Sequence, residues 1–470
     1  MAGQRQRSDG PTPTGVNQPE AAMRVLERIE TRGVRFINLE FTDVVGLAKC
    51  VTIPADQFGD CLAHGKWFDG SAIEGFARVV ESDMYLRPDL STFNEIAWRA
   101  TESQAGESGP VARVICDVLT PSGERFVGDP RAVLGRALAE AARLGYRYEV
   151  APELEFFLLA EREGQPREAL AHDRGGYFDL STDIAAEVRA EIVTALARMD
   201  VRVETSHHEV AAGQHELDFA PTDALRAADA VMTARYAVKA IAQRHGLWAT
   251  FMPKPLYGIN GSGLHVHQQL IRREDGRNAF SDPEDGEYGL TALARHFIAG
   301  QLAHAAGLCA VLCPLVNSYK RLVPGFEAPA LINWGRVNRE ALIRVPRAAA
   351  GVPGGTRVEL RCADPSCNPY LAFAVMLHTG LDGMARQLVA PPPVEESVYM
   401  RDEAPRARRQ VETLPATLGE ALAALGADDV VRGALGQLIA EWFIDAKSQE
   451  WLEYRRQVHP WERERYLPMF

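Results

Sequence analysis

The sequence predicts an α+β fold in which a small N-terminal domain precedes a large domain built on an antiparallel sheet. The chain has 470 residues, of which 46% are hydrophobic and 24% charged, so it exceeds the usual size of a single domain. From about residue 146 onward, strand-like and helix-like segments alternate irregularly, which is typical of an α+β domain. The turn-rich segment TPSGERFVGDP, residues 120–130, separates the two parts. We therefore expect domains at 19–120 and 121–470.

The N-terminal part is expected to be β-rich. Residues 1–18 are polar and rich in Gly, Pro, Gln and Arg, which predicts a disordered tail. AAMRVLERIETRG has helical spacing and ends at a glycine. VRFINLEFTDVVGLAKCVTIP predicts two strands around a turn at 43–46, and EIAWRA and ARVICDVLT predict two more.

The large part opens with a predicted helix, PRAVLGRALAEAARLG, which has proline in its first turn and glycine at its end. Predicted strands follow at YRYEVAPELEFFLL, VRVETSHHEV, GQHELDFA, WATFMPKP and GLHVHQQL. Further helices are predicted near 184–199, 222–245, 287–309 and 366–389. The Pro- and Arg-rich stretch 390–415 is predicted to be a surface loop.

Charge and cysteine content exclude several classes of protein. The net charge of -12 and pI of about 5.6 argue against broad binding to nucleic acid or anionic membranes. No apolar run is long enough for a membrane helix, and the N-terminus lacks a hydrophobic signal core, so a cytoplasmic location is expected. The seven cysteines favour reduced, buried thiols; Cys309/Cys313 and Cys362/Cys367 lack the spacing of strong zinc half-sites.

Two acids interrupt the apolar strand PELEFF. Glu153 and Glu155 are two residues apart and therefore point to the same face. Such a pair is costly unless a cation lies between the two carboxylates. Similar segments supply Glu209, Glu216, His265, His267 and Glu359. Any one of these alone is more often a solvated or ion-paired residue, but together they predict sites for two hard cations, Mg²⁺ or Mn²⁺.

Basic residues are concentrated in short segments marked by proline and glycine. They are Lys320, Arg321, Arg336, Arg339, Arg344, Arg357 and Arg361. Arginine binds phosphates and carboxylates through paired N–H donors. Two cations with a set of arginines are what phosphoryl transfer requires, because its catalysis is mainly positioning and charge neutralisation.

Seven segments of the chain resemble type I glutamine synthetases in their order and approximate spacing. They are DGSAIEGFARVVESDMYLRPD, PELEFF, SHHEVAAGQHE, PKPLYGINGSGLHVH, VNSYKRLVPGFEAP, NREALIRVP and RVELRCADPSCNPY. The resemblance extends over about residues 20–470. The ending EWLEYRRQVHPWERERYL is similar to the shorter, feedback-regulated branch of bacterial and archaeal members.

The resemblance implies a fold, a reaction and an assembly. The fold would combine a β-grasp-like N-terminal domain with a catalytic domain whose curved antiparallel sheet is flanked by helices. The reaction would join ammonia to the γ-carboxylate of L-glutamate through γ-glutamyl phosphate, with ATP as co-substrate and L-glutamine, ADP and phosphate as products. Two or more Mg²⁺ or Mn²⁺ ions would serve each active site. The assembly would be a dodecamer of two hexameric rings, with active sites between subunits.

The resemblance also assigns roles to individual residues. One metal site would use Glu155, Glu209 and Glu216, and the other Glu153, His265 and Glu359. Glutamate would be held by Asn260, Gly261, Arg321 and Arg361, and ATP and its phosphates by His267, Arg339, Arg344 and Arg357. Asp69 would take the proton from ammonium, acting from a neighbouring subunit, and Glu327 would close the site as part of a flap. Tyr177, Asp83 and Glu209 would belong to the ammonium pocket or its surroundings.

Some positions depart from the family pattern. Gln269 occupies the position that is usually the serine of the motif HxHxS. The segment INWGRVNRE differs at Gly335, Arg336 and Glu340. Tyr399 lies where some relatives carry a nucleotidylated tyrosine, but the accompanying sequence is absent, which argues against modification. Arg78 matches an arginine that is tied to glutamine feedback in the shorter branch.

Two alternatives to ammonia ligation stay open. A ligase that joins glutamate to a polyamine, ethanolamine or methylamine would share the metal and phosphate machinery but need a wider pocket. Ala72, which replaces a usual serine, leaves this alternative open, whereas Asp69, Glu209 and Glu327 favour ammonia. A catalytically inactive relative would lose metal ligands first, and the sequence retains all of them.

Overall fold

The computed structural model describes residues 18–72, 83–99, 109–162, 165–348, 355–395 and 411–470. The predicted tail, apart from its last residue, lies outside these ranges, as do Arg78 and Tyr399. The side chain of Ala72 is also outside the description. None of the helices in these ranges is both long enough and apolar enough to cross a membrane.

The N-terminal part forms a six-stranded sheet with helices beside it. In chain order its elements are α1 (Gln18–Thr31), β1 (Phe36–Thr42), β2 (Ala48–Pro54), α2 (Phe58–His64), β3 (Lys66–Asp69), β4 (Asp83–Pro88), β5 (Asn94–Glu95) and β6 (Val111–Leu119). The strand order is β2-β1-β6-β4-β3, with β5 also paired to β6. The predicted strands on either side of the turn at 43–46 are confirmed as β1 and β2.

The large part is built on a ten-stranded sheet with helices around it. The first half contains α3 (Pro130–Arg143), β7 (Tyr146–Arg162), β8 (Gln165–Ala171), α4 (Ala186–Ala197), β9 (Val203–His208), β10 (Gln214–Phe219), β11 (Thr222–Asp223), α5 (Ala224–Arg244), β12 (Leu247–Thr250) and β13 (Leu264–Arg272). The second half contains α6 (Ala292–Ala303), α7 (Ala305–Leu312), β14 (Trp334–Gly335), β15 (Ile343–Arg344), β16 (Val358–Leu360), α8 (Pro369–Ala385), α9 (Leu418–Ala427), α10 (Asp429–Leu435), α11 (Gln437–Tyr454) and α12 (Pro460–Tyr466).

Strand β7 is the centre of this sheet. The order β14-β15-β16-β13-β7-β10-β9 places β7 between β13 and β10, and β8, β11 and β12 pair with it as well. The pairs along this order are antiparallel except β14–β15. The predicted α+β fold with an antiparallel sheet is therefore confirmed, and the acids of PELEFF lie at the middle of the sheet.

Three element predictions need correction. EIAWRA is a strand only at its start, because residues 97–99 form a 3-10 turn whose Trp98 ring packs edge-on against Tyr236 at 5.0 Å. WATFMPKP leaves the sheet after Thr250, and its prolines have no N–H for a ladder. The helix predicted at 287–309 begins at Ala292 and is divided at His304 into α6 and α7.

The turn between β1 and β2 docks the N-terminal sheet onto the large part. Asn368 caps α8 by accepting a hydrogen bond from the Tyr370 N–H at 3.1 Å, and its amide donates to the Asp43 carbonyl at 3.0 Å. Gly46 lies in the same turn with φ +87°, and a Cβ there would approach the Asn368 Cα to 3.0 Å. Glycine is needed at this position for both reasons.

The cysteines are free, and those of the two candidate zinc half-sites are buried among apolar side chains. Cys313 donates its thiol hydrogen bond to the Cys362 carbonyl at 3.0 Å. The interpretation of these residues as small buried hydrophobes is confirmed.

Candidate active site

Strand register sets the two acids of β7 beside further acids and a histidine. Glu153 lies opposite His265 of β13 and Asp218 of β10, while Glu155 lies opposite Glu216 of β10. On the far side of β13, His267 lies opposite Glu359 of β16. Side chains directly opposite one another in an antiparallel pair are close enough to interact, so the register alone gathers the charges.

These side chains line a cavity of about 270 Å³. Its lining includes most of the predicted site residues, namely Glu153, Glu155, Tyr177, Glu209, Glu216, Asn260, Gly261, His265, Arg321, Glu327, Arg339, Arg344, Glu359 and Arg361. It also includes Phe178, Thr205, His207, Gln214, Asp218 and Phe326, which the sequence did not single out. Predicted acids, histidine and arginines therefore share one cavity.

Glu153 and Glu359 are held as carboxylates by histidine and arginine neighbours. Glu153 contacts His267 Nε2 at 2.6 Å and His265 Nδ1 at 3.1 Å. Burial favours the neutral acid, but these histidines outweigh it and hold the pKa of Glu153 well below its usual range. Glu359 pairs with Arg361 and, at 3.0 Å, with Arg344. Burial opposes ionisation there too, yet Arg361 and His267 lower the pKa of Glu359 to about 2.

Glu155 and Glu216 show the opposite behaviour. Burial, with the nearby charge of Glu209, raises the pKa of Glu155 to about 8, although the Gln214 amide and the Gly263 N–H donate to it at 2.8 and 2.9 Å. Burial and the adjacent carboxylates also raise the pKa of Glu216 well above its usual value. Like charges crowd this half of the cavity, which is the condition that a bound cation would relieve.

Four overlapping groups in the cavity have the spacing of metal ligands, and three of them contain at least two members of one predicted metal set. These three are Glu153/His265/Glu359, Glu155/Glu216/His265 and His207/Glu209/Glu216, each with ligand atoms within 4.8 Å of one another. The first group matches one predicted metal set residue for residue. The other predicted set, Glu155, Glu209 and Glu216, is divided between the second and third groups. A donor set dominated by carboxylate oxygens suits Mg²⁺ or Mn²⁺, so the residues fit the predicted ions.

His207 and Asp218 are functional candidates that sequence reasoning missed. His207 Nε2 lies 3.3 Å from Glu216, and Asp218 belongs to a further group with Glu153 and Glu216. The sequence carried a signal for Asp218, because Glu216 and Asp218 are two apart on one strand, as Glu153 and Glu155 are. His207 depends on the β9–β10 register, which the sequence does not encode locally.

The arginine side of the cavity is fixed by backbone contacts. Arg321 donates to the carbonyls of Cys362 at 2.9 Å and Arg361 at 3.2 Å. Arg361 in turn donates through Nε to the Arg339 carbonyl at 3.1 Å. A Cβ on Gly261 would lie 2.2 Å from the Pro253 carbonyl oxygen, so only glycine fits there. The guanidinium groups of Arg321 and Arg361 are therefore held in place before any ligand binds.

Glu327 lies on a strained loop at the cavity. Its φ of +54° is unusual for a residue other than glycine. The preceding Phe326 packs under the Lys254 ammonium, which lies 3.8 Å from the ring centroid. Strain held by neighbouring contacts is typical of functional loops.

Four predicted residues are not among those that line this cavity. Asp69 and Asp83 lie opposite each other on β3 and β4 of the N-terminal sheet, where the Trp67 indole donates to Asp83 at 2.9 Å. Asp69 is exposed and accepts the Ser71 N–H at 2.8 Å. His267 does not line the cavity but contacts Glu153 and lies opposite Glu359, both of which do. Arg357 precedes β16 and is half-buried.

Comparison with known proteins agrees with this architecture. A family model described as the glutamine synthetase beta-Grasp domain matches residues 33–121, and one described as the glutamine synthetase catalytic domain matches residues 127–466. The glutamine synthetase of Thermus thermophilus is 49% identical over 449 residues, covering 95% of this chain and 98% of that protein. That of Halobacterium salinarum is 48% identical over 447 residues, covering 95% and 96% respectively.

Solved structures show the same fold. A GmaS/ADP complex has a TM-score of 0.84 and 32% identity, over 94% of this chain and 99% of that chain. GmaS without ligand has a TM-score of 0.81 over the same shares of the two chains. The fold and the acid- and arginine-lined cavity thus define a two-domain α+β ligase. The chain belongs to the glutamine synthetase family.

Proposed function

We propose that this cavity carries out the ATP-dependent ligation of ammonia to the γ-carboxylate of L-glutamate, through γ-glutamyl phosphate, to give L-glutamine, ADP and phosphate. One observation carries the proposal: overlapping carboxylate and histidine groups meet Arg321, Arg339, Arg344 and Arg361 in a single cavity. This combination suits phosphoryl transfer to a carboxylate, which needs charge neutralisation at several oxygens.

We assign the metal sites to the three groups described above. Two Mg²⁺ or Mn²⁺ ions bound there would neutralise the phosphates of ATP and the carboxylate that becomes phosphorylated. Glu359 would orient one ligand set, because its contacts with Arg344 and Arg361 connect the metal side of the cavity to the arginine side. Asn260, Gly261, Arg321 and Arg361 would hold glutamate. Arg339, Arg344, Arg357 and His267 would serve ATP and the transferred phosphate.

We assign ammonium binding to an anionic pocket. Glu209, Tyr177 and Glu327 line the cavity, and Asp69 and Asp83 would join them from a neighbouring subunit. Hydrogen bonds from Ser71 lower the pKa of Asp69, which favours the negatively charged carboxylate that would attract the ammonium cation before taking its proton. Glu327 would close the pocket against water, which hydrolyses acyl phosphates.

The position of Asp69 supports an assembly in which active sites lie between subunits. Within the described part of one chain, Asp69 and Asp83 do not line the cavity. We therefore propose the dodecamer of two hexameric rings that the family resemblance implies. A cytoplasmic location remains a prediction.

Mixed assemblies test this arrangement. Asp69→Ala and Glu359→Gln should each abolish activity when assembled alone. Co-assembly in equal amounts should restore about a quarter of the wild-type sites, because such sites take Asp69 from one chain and Glu359 from another. No recovery in co-assembled protein would mean that each site is complete within one chain.

The reaction itself is tested by phosphate release with ATP, Mg²⁺ and glutamate, comparing ammonium with methylamine, ethanolamine and putrescine at equal concentrations. We expect a strong preference for ammonium that is lost in Asp69→Ala and kept in Asp56→Ala, an exposed control in the same domain. Preference for an organic amine would indicate the alternative ligase, which the identity to curated glutamine synthetases does not favour. No release with any amine would contradict the proposal.

A further inference from the structure

Lys254 joins two loops that border the candidate active site. Its ammonium donates a hydrogen bond to the Ile259 carbonyl and lies 3.8 Å from the centroid of the Phe326 ring. Ile259 directly precedes the cavity residue Asn260, and Phe326 directly precedes Glu327. Lys254 itself is not among the residues that line the cavity. The side chain can therefore act on the site through these two loops rather than by contact with a substrate.

The backbone around Lys254 is held by neighbouring segments. The Lys254 N–H donates to the side-chain oxygen of Asn317 at 2.7 Å, and its carbonyl accepts from the Asn317 amide at 3.1 Å. Asn317 belongs to the 3-10 turn Val316–Lys320. The carbonyl of the preceding Pro253 accepts from the Ser262 N–H at 2.8 Å. Because this backbone is held by three hydrogen bonds, the lysine side chain extends from a fixed base.

The aliphatic part of the lysine packs against the loop 259–262, part of which we assign to glutamate binding. A Cβ added at Gly261 would approach the Lys254 Cδ to 3.3 Å. Glycine at this position therefore lets the loop lie directly against the lysine stem. At the end of the same stem, the ammonium holds the Ile259 carbonyl. The loop thus contacts both the stem and the charged end of Lys254.

The ammonium of Lys254 lies in an unfavourable environment for a charge. Burial, with the nearby charge of Arg321, lowers the pKa of this ammonium. Its two contacts are with uncharged groups that are rich in electrons, a carbonyl oxygen and the face of an aromatic ring. A cation gains more from a ring face where water is partly excluded, so the contact with Phe326 compensates the charge.

Phe326 in turn lies in the strained loop 323–327. Gly325 has φ +88° and Glu327 has φ +54°, and a residue other than glycine keeps such a conformation only when its surroundings hold it. Gly325 and Glu327 are exposed, whereas the Phe326 ring between them is partly buried against Lys254. The ring is therefore the part of this loop that anchors it to the rest of the domain.

We propose that Lys254 is a positioning residue that holds the loop 323–327 closed over the cavity while it aligns the loop 259–262. This inference rests on the proposed function. Release of Phe326 would let water reach γ-glutamyl phosphate and attack its acyl carbon. The bond from this carbon to the phosphate oxygen would then break, and glutamate and phosphate would leave without formation of glutamine. Lys254 thus sets how closely phosphate release is coupled to ligation.

Proteolysis tests the positioning without turnover. Chymotrypsin cleavage after Phe326 of the full-length protein is followed by mass spectrometry, relative to cleavage after all other aromatic residues, which would rise in parallel if a variant were unfolded. Lys254→Met keeps the stem but removes the charge, and it should raise this ratio about fivefold, the change that loss of one cation–π contact produces. Lys254→Arg keeps a cation and should match wild type. So should the matched control Lys239→Met, which removes an exposed lysine 5.9 Å from the Phe251 ring. An unchanged ratio in Lys254→Met, or an equal rise in Lys254→Arg, would overturn the proposal.

Activity gives a second readout. Phosphate and glutamine are measured together at saturating ATP, glutamate and ammonium. The ratio of phosphate to glutamine should be about one in wild type, Lys254→Arg and Phe326→Tyr, and about twofold higher or more in Lys254→Met and Phe326→Leu. A ratio that stays at the wild-type value in both Lys254→Met and Phe326→Leu would overturn the coupling. If wild type formed no glutamine, the proposed function would fail, whereas the proteolysis result would still decide whether Lys254 holds the loop.

Discussion

Replacement of Arg131 by methionine should strongly destabilise the protein, because this side chain joins the two domains through three carboxylates. Arg131 lies in the first turn of α3. Its guanidinium contacts Asp117 of β6 at 2.9 Å, Asp89 after β4 at 2.7 Å and Asp229 of α5 at 3.0 Å. Tyr370 of α8 donates to the same Asp229 at 2.6 Å, so α8 is connected to this ion cluster through Asp229.

The magnitude follows from burial. The Arg131 side chain is 6% exposed, and those of Asp117 and Asp229 are each 10% exposed. Methionine keeps most of the aliphatic stem but removes the buried cation from Asp229 and leaves Asp117 with the half-exposed Arg125 and Arg87 alone. Removal of one partner from a buried ion pair costs about 3–5 kcal/mol, and we expect a loss of unfolding free energy in that range. This is a large part of the stability of an ordinary domain.

Urea unfolding, followed by tryptophan fluorescence at fixed protein concentration, measures the loss. Arg143→Met is the matched control, since Arg143 pairs with Glu140 on the exposed surface and its loss should not be measurable. Adding Asp229→Asn to Arg131→Met should recover part of the loss, because one unpaired charge is removed. A loss for Arg131→Met below about 1 kcal/mol, the level of a surface pair, would refute the reasoning.

Three further predictions concern protons and loop position. Mg²⁺ binding to metal-free protein near pH 7 should release protons, because burial and Glu209 raise the pKa of Glu155 to about 8, and burial with neighbouring carboxylates raises that of Glu216. Calorimetry in buffers of different ionisation enthalpy measures this release, which should fall as pH rises through 8; no dependence on buffer would contradict it. Burial disfavours the charged form of His304, but Asp428 at 2.8 Å and Asp382 at 3.1 Å outweigh burial and raise the pKa of this imidazole. The stabilisation from these ion pairs is therefore present below about pH 6.5 and is lost as the pH rises through the pKa of His304 in the folded protein. His304→Gln should therefore cost more stability at pH 6 than at pH 9, and equal losses would speak against the ion triad. Asp173 accepts the N–H of the β9–β10 turn at 2.8 Å, so Asp173→Ala should lower kcat/KM for glutamate about tenfold, with partial rescue in Asp173→Asn; unchanged kinetics would exclude this role.

Sequence reasoning located the acids because it needed only the alternation of side chains along a strand. Glu153 and Glu155 share a face of β7 whatever the partner strands are, and both reach the cavity. Glu209, Glu216, His265 and the arginines were also singled out from their own segments, but their division into two metal sites and their individual roles came from family resemblance, since no local rule states which strands are neighbours. Cross-strand register is set by the whole sheet, so His207 became visible only when β9 was paired with β10.

The element predictions failed where tertiary contacts override local preference. EIAWRA has the apolar content of a strand, but Trp98 leaves the sheet to pack on Tyr236 of α5. The helix around His304 is continuous in pattern but is divided where the imidazole reaches Asp382 and Asp428 of distant segments. Neither partner is close in sequence, so the break could not be read from the helix itself.

The two acids of β7 also show why placement on a face does not determine chemistry. Glu153 and Glu155 have the same strand and the same face, yet their pKa values move in opposite directions, and Glu153 is the more exposed at 25% against 8%. Glu153 lies opposite His265 and in contact with His267, whereas Glu155 lies opposite Glu216. The difference is therefore set by the deeper burial of Glu155 together with the charges on the neighbouring strands. Glu153 is already a charged ligand without metal, whereas Glu155 must lose a proton before it binds a cation. The two proposed ions would therefore differ in the proton release that accompanies their binding.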